Sequence, residues 1–184
     1  PVYDFKNFSP ERDSQFRIKL LESAGYKAAG YIKGIPTAGN SAIPDRNLMI
    51  DLNGGELQNL TFADLLINSN FKSFRKDFLP LFRERSHVYV IANFRAKMQS
   101  TPNTWILIPV PDNFISSFES DLDRIMSILM KVPANSLILS SASSLSNLLG
   151  LEIWKVRQDI TFIDIGTSLH DEIGLGFGIR EYHK

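Results

Sequence analysis

Four short apolar runs constrain this chain more than any other feature. They are VYVIA at 88–92, WILI at 105–108, LIL at 137–139 and TFIDI at 161–165. Each is too short for a buried helix, rich in β-branched or aromatic residues, and apolar at successive positions rather than at alternate ones. A strand with that pattern is covered on both faces, which is the situation of a parallel sheet flanked by helices. Helical periodicity fills much of the space between the runs. Phe114, Phe118, Leu122, Ile125, Met126 and Leu129 mark an amphipathic helix over 113–131, and Leu145–Val156 reads as another, interrupted by Gly150. The expected fold is α/β: a Rossmann-like, mostly parallel sheet with helices on both faces, in a single domain over 1–184.

The first half is less regular. Phe16, Leu20, Leu21 and Ala24 share one helical stripe in 11–24, with Gly25 placed as a C-cap, and Gly30–Ile35 reads as a short strand ended by Pro36. The stretch 36–60 is rich in Gly, Asn and Pro and is expected to be an irregular loop region, with Leu48–Leu52 as a strand or short helix inside it. Thr61-Phe-Ala-Asp64 has the form of a capping box opening a helix at Leu65. Phe71, Phe74, Phe78 and Leu81 then fall at helical spacing.

A chain of 184 residues carries about one domain. Its 20 basic and 20 acidic residues balance, and no basic run or stripe interrupts them, so a nucleic-acid partner held by global charge is not expected. The absence of cysteine removes disulfides, thiolate catalysis, cysteine-ligated zinc and iron–sulfur clusters. No window approaches the ~18 apolar residues of a membrane span. The sequence opens at Pro1 without an initiator Met, and the expectation is a piece of a longer chain.

Ligands of open parallel sheets bind outside the carboxyl ends of the strands. Four predicted strand ends are polar or small: Asn93, then Pro109–Asp112, then Ser140 and Ser141, then Asp164, Gly166 and Ser168. Singly, such residues cap helices and make turns; together at one edge they outline a crevice. Ser140–Ser144 also runs into a helix, where hydroxyls and backbone N–H groups suit an anion. The motifs of P-loops, dinucleotide-binding turns and nucleophile elbows are absent, and Gly174, Gly176 and Gly178 read as a flexible turn. Asp121 and Asp123 lie two apart on a helix and point away from each other, as a solvated acidic pair near its N-terminus. His170-Asp171-Glu172 follows the last strand closely enough for a carboxylate to reach the crevice, although a solvated loop is the plainer reading.

TFADLLINSNFKSFRKDFLPLF (61–82), VYVIAN (88–93), LILSSASSLSNLL (137–149) and TFIDIGTSLHDEIG with GIREYHK (161–184) together resemble the GT-D type of glycosyltransferase domain of bacterial polysaccharide and glycoprotein assembly. The resemblance implies transfer of a sugar from a nucleoside diphosphate sugar to a saccharide or lipid-linked (glycolipid) acceptor, with Mn²⁺ or Mg²⁺ beside the diphosphate. By matching position it implies Asn68 and Asn70 near the sugar-nucleotide cleft. Asn93, Ser140, Ser141, Asp164, Gly166 and Ser168 would line the strand-end edge, and Arg180 would meet a phosphate. Asp164 and Asp171 are the implied catalytic carboxylates. It further implies a cytoplasmic setting, in solution or at the inner face of the membrane, and other domains of a longer protein as partners. Two positions depart from the family pattern. Its acidic Asp-x-Glu-type motif belongs upstream of a stretch like residues 3–35 and has no counterpart here, and the last acid of its terminal motif is His170, with Asp171 adjacent. A non-catalytic module binding a nucleotide sugar, a glycan or a partner protein is the alternative on the same fold.

Overall fold

In a computed structural model of the chain, residues 8–37, 41–102, 104–176 and 180–183 are described. The apolar runs form a four-stranded, wholly parallel sheet from β3 (Val88–Asn93), β4 (Trp105–Val110), β5 (Leu137–Ser141) and β6 (Thr161–Asp164), in the order β4-β3-β5-β6. Alternate residues feed two cores. Val88, Val90 and Ala92 of β3 face one side with Leu137 and Leu139 of β5, while Ile91 and Ile138 face the other with Ile108 and Val110 of β4. Helices α5 (Phe118–Leu129) and α6 (Leu145–Val156) cover the second face, joined by Phe16 of α1 (Ser14–Gly25). Phe71, Phe74, Leu79 and Phe82 cover the first, together with Ile165, Leu169, Ile173 and Leu175 of the segment after β6. The doubly covered α/β sheet is therefore as the runs require. Strand β4 extends through Pro109 instead of stopping before it, which an edge strand tolerates because its outer N–H groups need no partner.

A second, two-stranded parallel sheet pairs β1 (Lys33–Ile35) with β2 (Leu60–Phe62). The region 36–60 is not an irregular loop: it carries α2 (Ala42–Leu52), eleven residues long. Pro44 sits in the first turn, where no N–H is needed, and only Ala42 of this helix is buried, so its apolar residues carry no periodic signature. Thr61 likewise lies in β2 and not at a helix start, since the Ala63 N–H is taken by the Ile35 carbonyl at 2.9 Å. In α1 the inward stripe is Phe16 and Ser23, both buried, with Leu20 partly buried; Leu21 turns outward, and Ser23 donates to the Asn147 carbonyl at 2.9 Å. Gly25 closes the helix as its last residue, and Tyr26 follows in extended conformation.

The helical stretch after Asn70 changes phase midway. It begins as α3 (Phe71–Ser73), passes through a π-helical turn (Phe74–Phe78) and ends as α4 (Leu79–Arg83). The Leu79 N–H reaches back five residues to the Phe74 carbonyl. Pro80 accounts for the insertion, because it lacks an N–H and its ring would meet the carbonyl four residues earlier in a regular helix. The extra residue moves burial from Phe78 and Leu81, 51% and 55% exposed, to Leu79 and Phe82.

Candidate functional site

Strand β6 ends at Asp164, and the Ile165 N–H still donates to the Ser140 carbonyl at 2.8 Å. The chain then turns at Gly166, whose φ of +51° is the left-handed conformation a glycine adopts without penalty. Both polar groups of Gly166 are used: its N–H donates to Asp164 Oδ1 at 3.0 Å, and its carbonyl accepts the Ser141 hydroxyl at 2.6 Å. This turn forms one wall of an open cleft of about 610 Å³. Gly166 and Thr167 line it on that side, Ile67 and Asn68 from the turn before α3, and Arg180, Glu181 and Tyr182 from the C-terminal segment. Three residues carried over from the family resemblance, Asn68, Gly166 and Arg180, thus meet around one space.

The C-terminal wall is fastened from several directions. His183 Nδ1 accepts the Arg180 N–H at 2.9 Å, which leaves Nε2 protonated to donate to the Thr167 carbonyl at 3.0 Å. The Thr167 and Tyr182 hydroxyls share a hydrogen bond. Phe71 packs against both neighbouring rings, 5.0 Å from Tyr182 and 5.0 Å, edge-on, from His183.

Among the described residues one cation and two carboxylates give the cleft its electrostatics. Arg180 is exposed and forms no ion pair among the described residues. Glu181 lines the cleft beside it, and Asp164 adjoins through Gly166. Desolvation pushes the Asp164 carboxyl up to about 6, opposed by the Gly166 N–H. The residue nonetheless keeps a solvent-exposed face. Protein atoms crowd the carboxyl although the residue as a whole is exposed, and the nearby solvent limits the rise without reversing it.

The other expected site residues are brought elsewhere or used up. Asn93 donates to Asp112 Oδ1 at 2.8 Å, and Arg95 pairs with the same carboxylate, which holds Asp112 below the usual carboxylate range. Ser140 is fully buried against the Ser146 hydroxyl at 2.8 Å and cannot touch a ligand; Ser168 is fully buried as well. Ser141, having given its proton to Gly166, accepts from His170 Nε2 at 3.2 Å. At the β3–β5 boundary, where strand order reverses, the strand-end side chains are therefore taken up on either side, Asn93 by the loop after β4 and Ser141 by the segment after β6. The N–H groups of Leu145, Ser146 and Asn147 close back onto Ala142, Ser143 and Ser144 carbonyls, so three donors expected for an anion at the start of α6 are spent.

Asn70 donates to the Asp64 carbonyl at 3.1 Å. Arg75 holds the acidic pair after β6: Glu172, buried, at 2.7 Å and Asp171 at 3.8 Å. His170 and Glu172 are thus interior residues and not parts of a solvated loop. Asp121 also departs from its expected solvated role, being buried with Ser117 donating to it at 2.8 Å and Arg124 at 3.0 Å. Of the glycine series, Gly178 lies outside the described residues.

The resemblance implies a divalent cation, and the carboxylates nearest the cleft among the described residues are those of Asp164 and Glu181. Among the described residues no three His, Asp or Glu side chains converge. Asp112, Asp171 and Glu172 already face arginines. Ile67, Thr167, Glu181 and Tyr182 are the cleft residues that sequence reasoning missed. A tail of alternating charge and aromatics beyond the last strand carries no periodicity, so the only signal was its adjacency to Arg180. Comparison of the chain with family models, with curated proteins and with solved structures gives no match.

Proposed function

We propose that this chain is a glycosyltransferase domain that binds a nucleoside diphosphate sugar in the cleft between the Gly166 turn and the C-terminal segment and transfers the sugar to a saccharide or lipid-linked acceptor. The observation that carries the reading is the meeting of Asn68, Gly166 and Arg180 around one open space beside a strand-end carboxylate. In such a transfer the acceptor oxygen attacks the anomeric carbon, the bond from that carbon to the diphosphate breaks, and the acceptor proton goes to a base. Asp164 suits the base: a carboxyl near 6 is ionised at neutral pH yet holds a proton better than an ordinary aspartate. Arg180 suits the leaving diphosphate, because a guanidinium meets two phosphate oxygens at once. Asp171, drawn toward Arg75, is the weaker candidate.

The test is release of nucleoside diphosphate from a panel of UDP- and GDP-sugars with saccharide and lipid-linked acceptors. Turnover that Asp164→Asn abolishes supports the reading, and turnover unaffected by that change removes Asp164 from it. The second reading, a binding module without transfer, is favoured by the presence of only two carboxylates at the cleft among the described residues. Its signature is saturable binding of a nucleotide sugar with no release of product.

A further inference from the structure

We infer that the cleft recognises its phosphate-bearing ligand without a divalent cation, the guanidinium of Arg180 supplying the counter-charge. The inference rests on the donor-site reading above and adds to it how the diphosphate is held. A nucleoside diphosphate brings two to three negative charges, and a site must set positive charge or many N–H donors against them. A hard cation would need oxygen ligands, and even Mg²⁺, which takes part of its shell from water and substrate, wants one or two carboxylates directed at it. Three of the acids around this sheet edge already face arginines. Asp112 is engaged by Arg95 and Asn93, and Asp171 and Glu172 by Arg75. Asp164 accepts the Gly166 N–H with one oxygen. Glu181 stands next to the cation in the chain and shares its cleft.

Arg180 has the opposite character. It is exposed and lines the cleft, and its backbone is pinned by the N–H bond to His183 Nδ1 at 2.9 Å. No acid among the described residues neutralises it. A guanidinium so placed offers a planar fork of donors to phosphate, with Asn68 across the cleft as a neutral donor. A metal bound to the same phosphate oxygens would compete with that fork.

Calorimetric titration of the chain with UDP, GDP and inorganic pyrophosphate, each in EDTA and in Mn²⁺, tests this. The expected result is binding of at least one probe that changes less than about twofold between the two conditions, since no metal–ligand bond is gained or lost. Arg180→Gln is expected to weaken that binding about 10- to 100-fold, matching loss of a charge-assisted pair, and Arg180→Lys to recover only part of it. Unchanged thermal melting of both variants excludes unfolding as the cause. Binding that appears only with Mn²⁺, or that ignores Arg180, overturns this inference while leaving the donor site standing. Absence of binding under both conditions overturns the donor-site reading and this inference with it.

Discussion

His183 donates from Nε2 to the Thr167 carbonyl at 3.0 Å, joining the turn at 180–183 to the turn that follows β6. The bond ties the two walls of the cleft together, although its two residues are sixteen positions apart in sequence. The site is a product of this closure and of the Thr167–Tyr182 bond, so its shape depends on residues that touch no ligand.

Replacing His183 with Ala removes two hydrogen bonds and the edge-on contact with Phe71. Each contribution is on the order of 1 kcal/mol at a partly exposed place. The expected outcome is a loss of nucleotide binding of about tenfold with a fall in melting temperature of up to about 6–12 °C, three such contributions at ~2–4 °C per kcal/mol for a domain this size. Titration and thermal melting of the same preparation separate the two effects.

Asp164→Asn tests the sign of a strained carboxylate. With its carboxyl raised from 3.8 to about 6, the folded chain holds a proton between those values that the unfolded chain has released. The group's contribution to stability is therefore complete below pH 4 and is lost as pH rises through about 6. At pH 7.5 the variant is expected to melt no lower than the parent. The gain is roughly 1 kcal/mol once the water at the open face is discounted, and it shrinks toward pH 4. If Asp164 is the base, turnover of the parent rises with pH about a midpoint near 6 and then levels off.

The π-helical turn predicts two unlike phenylalanines. Phe82→Ala empties a site only 8% exposed and is expected to cost about 3–5 kcal/mol. Phe78→Ala, at 51% exposed, is expected to stay within about 0.5 kcal/mol. Denaturant titrations of the pair decide it, and a costly Phe78 would restore the uninterrupted helical phase.

Lys33 offers a further check away from the cleft. Its ammonium is buried and donates to the Ala24 carbonyl, the Tyr26 carbonyl at 2.8 Å and Asn53 Oδ1 at 2.7 Å, while desolvation holds it below the usual lysine range. Lys33→Met leaves three acceptors unpaired between α1 and α2 and is expected to destabilise by about 2–4 kcal/mol. Chemical denaturation measures it directly.

The sheet was legible because burial on both faces leaves runs that few other structures explain, and β3, β5 and α6 begin where the pattern says they do. The strand-end argument found Asp164 and Gly166 for the same reason. Where reading failed, tertiary contacts overruled local pattern. Helix α2 buries only Ala42 and so shows no apolar stripe, and Pro80 shifts a helical phase that periodicity assumes is constant. Asn93 and Ser140 lie at strand ends as expected, but their partners, Asp112 and Ser146, come from other elements and cannot be seen in a strand. The tail's part in the cleft rests on pairings with Thr167 and Phe71 that no spacing encodes.

Hydrogen exchange with and without saturating UDP- or GDP-sugar tests the central claim most directly. The account predicts slower exchange confined to the turn before α3 around Asn68, the Ile165–Ser168 turn and the Arg180–His183 segment. Protection centred instead on the start of α6 or on the β3–β4 loops, with these three segments unchanged, would contradict it.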